Sequence, residues 1–355
     1  DSSYQASLWR RMAWWSRPLG AGKRALTRVL PGTPAAAGRP TLQFVTAVLG
    51  ADEWDHLLQG DVRVLFGIRD LWEWNGSKWV ECTGEGKPQT RSHTALGYDP
   101  IRKSLILFGG DSRDVATGWN TYLNDTWEWS IGTRQWSQLQ PAANPGARAM
   151  HAMVTDTTRQ KIILIGGSRM FRPDEPYSPN TGREWEWDGA TSTWTDRSTS
   201  GSASVPEFYP MNAVYDEGRK KVVILGGGVG NYWEWDPITG GWTPLATTNS
   251  LDMWSGFAVA YDSTRRRTVA VGVVGSMVGY PAMATYEFNS AELTWNPQTT
   301  TSVPSSRWSP GMAFDRQRGV MVLFGGSNND TGVALDDTWE YSVSSWANGT
   351  GCTAA

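Results

Sequence analysis

The feature that most constrains the fold is a tryptophan-rich motif that returns about every fifty residues. It reads "DTWEWSIGTRQW" at residues 125–136. Six copies are found, and their first aromatic residues are Trp72, Trp127, Trp185, Trp233, Tyr286 and Trp339. The spacings between these residues are 55, 58, 48, 53 and 53 positions. A period of this length indicates that one supersecondary unit is repeated along most of the 355-residue chain.

A second block precedes each later copy of the motif, as in "RSHTALGYDPIRKSLILFGG" at residues 91–110. It combines a strand that ends at an aromatic–Asp pair, a turn rich in Arg and Lys, and an apolar run closed by two glycines. We therefore predict four short strands per unit, with the W-E-W segment as the third and a single-Trp segment as the fourth. The block returns at 148–167, 208–228, 254–272 and 307–326, and it is degenerate at 44–67.

Such a unit, with its di-glycine and its aromatic pair spaced by six residues, resembles the kelch repeat. The pairs are Trp129 and Trp136, Trp187 and Trp194, Trp235 and Trp242, and Phe288 and Trp295. The resemblance covers residues 41–350 and implies an all-β fold, a six-bladed kelch-type β-propeller of four-stranded antiparallel blades. A seventh, decayed blade is the alternative.

Two segments lie outside the repeats. Residues 1–40 carry seven Lys or Arg and one acid, and they are predicted to form a basic N-terminal arm or an outer strand. Their arginines and tryptophans suit a membrane surface, a partner or the acidic body of the chain itself. Residues 351–355 resemble the start of the Cys-rich tail of secreted bacterial kelch-repeat proteins, cut short. The start at Asp1 fits a mature secreted protein and fits an arbitrary boundary equally well.

The repeated aromatic residues are interpreted as packing between blades. Fifteen of the 22 tryptophans occupy repeated third-strand or fourth-strand positions. Strand alternation sends Trp127 and Trp129 to one face and Glu128 to the other. The glutamate slot is filled in every copy, by Glu73, Glu128, Glu186, Glu234, Glu287 and Glu340.

Buried acids need partners. We expect this structural ring of glutamates to accept hydrogen bonds from backbone amides, or from Arg91, Arg148 and Arg307 between blades. A central metal or substrate site is the alternative interpretation.

The loops that join the second and third strands are the predicted binding surface. They emerge at the same end as the links between blades, and they vary in length, whereas the turns between the first and second strands stay short. Variable loops on a rigid scaffold are where binding residues usually lie. Their mixture of aromatic and charged side chains suits a protein or glycan partner, although the same side chains can instead pack each loop onto its own blade. The candidate residues are Arg113, Trp119, Tyr122, Arg169, Phe171, Arg172, Asp174, Tyr177, Trp254, Tyr280 and Trp308.

Composition and motifs narrow the function further. A balance of 32 basic and 35 acidic residues argues against a nucleic-acid-binding protein. The uncharged run 268–286 contains glycines and Pro281, so no transmembrane segment is predicted. The chain has three histidines, and His93 and His151 are offset by one position in the repeat, which weakens a shared metal site. No metal, cofactor or catalytic residue is therefore predicted.

The two cysteines leave alternatives open. Cys82 follows the fourth strand of the first copy and Cys352 follows that of the last, so ring closure would make them neighbours. A Cys82–Cys352 disulfide is one possibility, and pairing of Cys352 beyond this chain is another. The resemblance also admits enzymes, but neither cysteine holds the central-strand position that a copper radical oxidase needs.

These observations predict an extracellular or cell-surface binding or scaffolding module. The alternative is an extracellular kelch-fold enzyme, such as a metal-dependent oxidase, a lyase or a carbohydrate-active enzyme.

Overall fold

The computed structural model describes most of the chain from residue 71 to residue 349, and every regular element in that part is a β-strand. Among the described residues no helix has the length and apolar character needed to cross a membrane. Outside the description are residues 1–70, 75, 83–84, 92, 114–119, 170–177, 180–183, 199–211, 226–231, 252, 254–255, 275–281, 332, 334 and 350–355.

Five four-stranded antiparallel blades follow one another along the chain, each with its strands in sequence order across the sheet. Blade 1 contains β3 (Ala95–Asp99), β4 (Ser104–Phe108), β7 (Thr126–Ser130) and β8 (Gln135–Leu139). Blade 2 contains β9 (Ala149–Asp156), β10 (Lys161–Arg169), β12 (Glu184–Asp188) and β13 (Thr193–Asp196). Blade 3 contains β14 (Asn212–Asp216), β15 (Lys221–Leu225), β16 (Tyr232–Trp235) and β17 (Trp242–Pro244).

The remaining two blades have the same plan. Blade 4 contains β18 (Ala258–Asp262), β19 (Arg267–Val274), β20 (Ala282–Asn289) and β21 (Thr294–Gln298). Blade 5 contains β23 (Gly311–Asp315), β24 (Val320–Phe324), β26 (Thr338–Ser342) and β27 (Ser345–Asn348). The first strands of successive blades contact one another, β3 with β9, β9 with β14, β14 with β18, and β18 with β23. They therefore line the centre, and the fourth strands lie outermost.

A two-stranded sheet closes the ring between blade 5 and blade 1. This outer pair consists of β1 (Trp72–Trp74) and β2 (Trp79–Glu81). On one side Trp74 and Trp79 pack against Val322 and Phe324 of blade 5. On the other side Leu71 and Cys82 share a core with residues of blade 1. The arrangement is a β-propeller.

The predicted count of six four-stranded blades is corrected by this arrangement. The described residues form five such blades and the outer pair, not six or seven blades. The difference falls on the degenerate first copy, since its segment 44–67 lies outside the described residues. The predicted limits of the propeller, residues 41 and 350, and the flanking segments 1–40 and 351–355 also lie outside the described residues, so these limits stay predictions.

Apart from polar residues at their ends, the second strands are apolar, because blades cover both of their faces. All five residues of β4, the second strand of blade 1, are buried. Within the sheet β4 pairs with β3 along one edge and with β7 along the other. The two aromatic residues of the third and fourth strands face each other directly, as Trp129 faces Trp136 with ring centroids 5.5 Å apart. Each such pair belongs to a core shared with the preceding blade.

Hydrogen bonds between blades recur at one position. The fourth-strand indole Nε1 donates to the side chain directly before the first aromatic residue of the W-E-W motif in the preceding unit, as Trp194 does to Thr126 at 3.1 Å and Trp346 does to Thr285 at 2.9 Å. Trp79 of the outer pair donates to Thr338 of blade 5 at 2.9 Å in the same way. The ring is thus closed by a contact that also joins blades 1 and 2 and blades 4 and 5.

An aspartate ends each first strand and starts its turn, and it follows an aromatic residue in every blade except blade 2, where Thr155 precedes it. In all five blades the Asp Oδ1 accepts hydrogen bonds from the backbone N–H groups two and three residues later, as Asp99 does from Ile101 and Arg102. This local satisfaction of the backbone favours a tight turn. The five aspartates are Asp99, Asp156, Asp216, Asp262 and Asp315.

Candidate functional site

The di-glycine positions define one end of the propeller, which we call the di-glycine end. Gly109 and Gly110 have φ values of 58° and 94°, a conformation that favours glycine. A side chain at Gly109 would also lie 2.7 Å from the Arg148 carbonyl oxygen. The backbone turns here from the second strand into hairpins above the blades. The hairpins are β5 (Asp111–Arg113) with β6 (Asn120–Tyr122), and the end of β10 with β11 (Ser178–Pro179). In blade 5, β22 (Arg307–Trp308), which precedes the first strand, pairs instead with β25 (Ser327–Asn328) in the loop after the second strand.

Three fully buried arginines tie this end together. Arg91, Arg148 and Arg307 donate through Nη1 to the carbonyls of the first di-glycine residues, at 2.9, 2.8 and 3.0 Å. Arg91 also makes a bidentate pair with Asp125, at 2.6 and 2.7 Å. Burial disfavours the charged carboxylate of Asp125, but the hydrogen bonds and charge of Arg91 outweigh it and lower its pKa. Arg307 binds Asp337 in the same way.

The predicted partners of the glutamate ring were wrong. Arg91, Arg148 and Arg307 lie at the di-glycine end, whereas the glutamate of each of the five four-stranded blades pairs with an arginine of the turn between the first and second strands of its own blade. Arg102 binds Glu128 at 2.6 Å, and Arg159 binds Glu186 at 2.6 Å. The same contact joins Arg219 to Glu234, Arg265 to Glu287 and Arg318 to Glu340.

The reason for this pairing is local. The arginine lies three residues after the turn aspartate, and in three blades its Nε also donates to that aspartate. The Asp–Arg–Glu chain therefore links the turn to the third strand within one blade. Glu73 of the outer pair differs, because Arg134 of blade 1 approaches it at 3.3 Å. The glutamates thus lie on third strands, away from the central first strands.

Few of the predicted binding residues fall within the described part of the chain. Tyr122 ends β6 and is half-buried. Trp308 donates from Nε1 to Asn329, and its ring lies so close to Gly256 that a Cβ there would be 2.8 Å away. Arg113 and Arg169 end β5 and β10, with their side chains outside the description. Trp119, Phe171, Arg172, Asp174, Tyr177, Trp254 and Tyr280 also lie outside it.

The first functional candidate that sequence reasoning missed is a His–Asp pair in blade 1. His93 Nδ1 lies 2.6 Å from Asp111 Oδ1, and the aspartate side chain is 3% exposed. The same repeat position holds Met150 in blade 2 and Ser309 in blade 5. A comparison of each copy with the others, position by position, would have identified this departure from the repeat.

Two further departures are buried in blade 2. His151 packs edge-on against Phe108 of blade 1, with centroids 5.7 Å apart, and its two ring nitrogens have no hydrogen-bond partner among the described residues. Burial and the charge of Arg148 lower its pKa to about 3. His93 and His151 therefore contact different groups. Glu184 replaces the threonine that begins the third strand, and it accepts a hydrogen bond from Trp242 of blade 3 at 2.7 Å.

The described residues contain no group of three or more His, Cys, Asp or Glu side chains that could hold a metal ion. The predicted disulfide is untested because Cys352 lies outside the description. Cys82 is buried, and Arg134 donates a hydrogen bond to its Sγ at 3.4 Å.

The di-glycine end combines projecting hairpins with separate polar side chains that hydrogen bonds hold in place. Such a surface can recognise a partner by shape and by a few charged contacts.

Comparisons with known proteins support the fold. No family model matches the chain. The solved structure of YjhT superimposes with a TM-score of 0.55 over 79% of this chain and 91% of that one, at 14% identity. At that identity the likeness concerns the β-propeller fold alone.

A similarity in sequence is found to Mei4-dependent protein 6 of Schizosaccharomyces pombe. It amounts to 28% identity over 140 residues, which are 39% of this chain. The match spans 19% of the length of that relative.

Proposed function

We propose that this propeller is a binding or scaffolding module that recognises its partner at the di-glycine end. The observation that carries the proposal is the asymmetry between the two ends. At the di-glycine end the loops between second and third strands differ from blade to blade: β5 pairs with β6 within its loop, whereas β25 pairs with β22, which precedes the first strand of blade 5. At the other end, which we call the turn end, all five turns between first and second strands repeat one hydrogen-bonded conformation. Uniform turns serve the scaffold, and variable hairpins give specificity.

We also propose that the repeats are kelch repeats and that the outer pair is half of a sixth blade. Its support is the bond from Trp79 to Thr338, which matches the bonds between complete blades. The degenerate block at 44–67 would supply the first and second strands of that blade. A secreted or cell-surface location, with the basic residues 1–40 near a surface, belongs to the same proposal.

The partner we propose is a protein or a glycan. Arginine, aspartate and aromatic residues are concentrated in the loop sequences 111–124 and 168–182, and these residue types dominate the energetics of recognition surfaces. The Arg91–Asp125 pair fixes the third-strand end of loop 111–124, and Arg148 fixes the Gly166 carbonyl just before loop 168–182. Fixed loop bases lower the entropy cost of binding.

A loop replacement tests the proposal. Residues 168–182 are replaced by a short Gly-Ser linker, and binding to a glycan array and to candidate extracellular proteins is compared with wild type. The control carries Lys103→Ala and Lys220→Ala at the exposed turn end. We expect a ligand of the wild type to be lost by the loop variant and kept by the control, with both melting temperatures close to wild type. Binding that survives the loop replacement and disappears in the control would contradict the assignment.

An extracellular enzyme is the second candidate, favoured by the His93–Asp111 pair. A buried carboxylate that orients an imidazole is the arrangement that hydrolases and metal enzymes use to fix the tautomer of a histidine. Elemental analysis of the purified protein distinguishes the two proposals. Stoichiometric copper or iron that is lost on the substitution His93→Gln would favour the enzyme over the binding module.

A further inference from the structure

The contact between Glu184 of blade 2 and Trp242 of blade 3 departs from the other contacts of its kind. A threonine hydroxyl, which does not titrate near pH 7, accepts the indole hydrogen bond from Trp194, Trp346 and Trp79. Trp242 donates instead to Oε1 of a carboxyl group. A titratable group therefore occupies an interface position that is otherwise filled by a neutral one.

The surroundings of Glu184 leave its charge poorly compensated. The residue is fully buried, and its second oxygen, Oε2, has no hydrogen-bond partner within the described part of the chain. The carboxyl group lies beside the hydrophobic cluster between blades 2 and 3, which includes Ile165, Trp235 and Trp242. An ionised carboxylate in such a place loses hydration that a single indole donor does not replace.

The charged groups around Glu184 come from two sides of its own blade. Arg148, which precedes β9, favours the ionised form, and Asp196 of β13 opposes it. His151 of β9 faces blade 1 and stays neutral above acidic pH, because burial lowers its pKa to about 3. From blade 3 the Trp242 indole donates its hydrogen bond. Burial outweighs these contributions and raises the pKa of Glu184 to about 7.

We propose that the Glu184–Trp242 contact is a pH-sensitive latch between blades 2 and 3, which holds the interface at acidic pH and loosens it above neutral pH. Protonated Glu184 keeps the bond from Trp242 without a buried charge. The ionised form gains free energy by reaching water, so it favours opening of the interface. Glu184 begins β12, so the latch acts at the start of the third strand of blade 2.

The direction of the pH dependence follows from linkage. The pKa of Glu184 is raised on folding, from 4.5 to about 7. Its contribution to stability is therefore fully present below pH 4.5 and is lost as the pH rises through 7. For an opening that exposes the carboxyl group to water, the equilibrium constant should rise about tenfold between pH 6 and pH 8.

Hydrogen exchange measured by mass spectrometry tests the latch. Rates are corrected for the intrinsic pH dependence of exchange and compared at pH 6 and pH 8 for wild type, Glu184→Thr and Glu184→Gln. Threonine restores the residue of the other interfaces, and glutamine keeps an acceptor for Trp242 without a titratable proton. We expect protection in peptides covering 184–188 and 242–244 to fall about tenfold in wild type and to stay constant in both variants.

Three results would overturn the proposal. The first is an equal pH response in wild type and in Glu184→Gln, the variant closest to the native shape. The second is a wild-type protection that does not change between pH 6 and pH 8. The third is a response confined to other interfaces, such as the one between Trp194 and Thr126.

Discussion

At the scale of single residues, unusual backbone conformations belong to the fold and do not mark a site. His93, Met150 and Ser309 all have φ values between 48° and 59°, and Gly256 has a φ of 97° at the same repeat position of blade 4. A left-handed residue therefore recurs at this position whatever its side chain, just before the first strand or, for Met150, as the second residue of that strand. The backbone strain that such residues carry is therefore part of how the chain begins a blade. Side-chain chemistry that changes from blade to blade is the better guide to function.

The substitution Glu128→Gln should lower the free energy of unfolding. It removes the charge that receives two hydrogen bonds from Arg102, at 2.8 and 2.6 Å. Hydrogen bonds to charged groups contribute about 1.5–3 kcal/mol, and the partial exposure of Arg102 places the expected loss at about 1–2 kcal/mol. Denaturant unfolding at pH 7 measures it. The exposed Glu292→Gln is the control. An equal loss of unfolding free energy in the two variants would show that the Arg102–Glu128 ion pair does not contribute to stability.

His151 should make the protein acid-sensitive. Its pKa is lowered on folding from 6.5 to about 3, chiefly by burial. Its contribution to stability is thus present above pH 6.5 and is lost as the pH falls toward 3, by up to about 1.4 kcal/mol per pH unit. The substitution His151→Phe, which introduces the residue that blade 4 has at position 257, should flatten the stability profile between pH 6.5 and pH 4. Parallel profiles for wild type and variant would show that other groups cause the acid sensitivity.

At the scale of elements, the interface between blades depends on a few hydrogen bonds inside an apolar core. Each second strand is buried on both faces, so apolar packing supplies the bulk of the attraction. Packing of that kind tolerates sliding. The indole Nε1 groups of Trp194 and Trp346 fix the position, because a buried donor without its acceptor is costly. Thr126 and Thr285 therefore fix how neighbouring blades are aligned, although their small side chains bury little surface.

The substitution Thr126→Val should destabilise the interface between blades 1 and 2. It preserves the shape of the side chain and leaves Trp194 Nε1 buried without an acceptor, at a cost of about 1–3 kcal/mol. Thr126→Ser retains the acceptor and is the matched control. A double-mutant cycle with Trp194→Phe isolates the bond by chemical denaturation. A coupling energy near zero would mean that the 3.1 Å contact contributes nothing measurable.

At the scale of the whole molecule, stability depends on closure of the ring. The ends of the described chain meet where the outer pair packs on blade 5, with Trp79 and Phe324 centroids 4.7 Å apart. Gly76 lies beside the Arg318 side chain at the same junction. A hydrogen bond from Trp79 to Thr338 joins residues 259 positions apart there. Loss of this junction would expose one face of blade 5.

The substitution Trp79→Ala should therefore have a larger effect than a comparable change on the rim. Truncation of a buried Trp costs about 3–5 kcal/mol, and the loss should spread as faster hydrogen exchange in β24 and β26. The control is Ile238→Ala, which removes a side chain that is 72% exposed. Exchange that changes only within the outer pair would show that blade 5 does not depend on closure.

The repeat determines most of the architecture from sequence alone. A period near fifty, the W-E-W alternation and the di-glycines predict four-stranded blades and a propeller, since each follows from local periodicity and backbone conformation. The same patterns predict that the tryptophans pack between blades. Such features are encoded within one unit, and six copies of the motif reinforce the signal.

The tertiary structure alone decided the partners of the charged residues and the form of the first unit. Arg102, not Arg91, reaches Glu128, because a turn and a third strand that are distant in sequence lie side by side in one sheet. The special environment of Glu184 arises only when Trp242 of the next blade covers it. Local periodicity specifies which face a side chain takes, but the charge state of a buried group depends on what the neighbouring blade places against it.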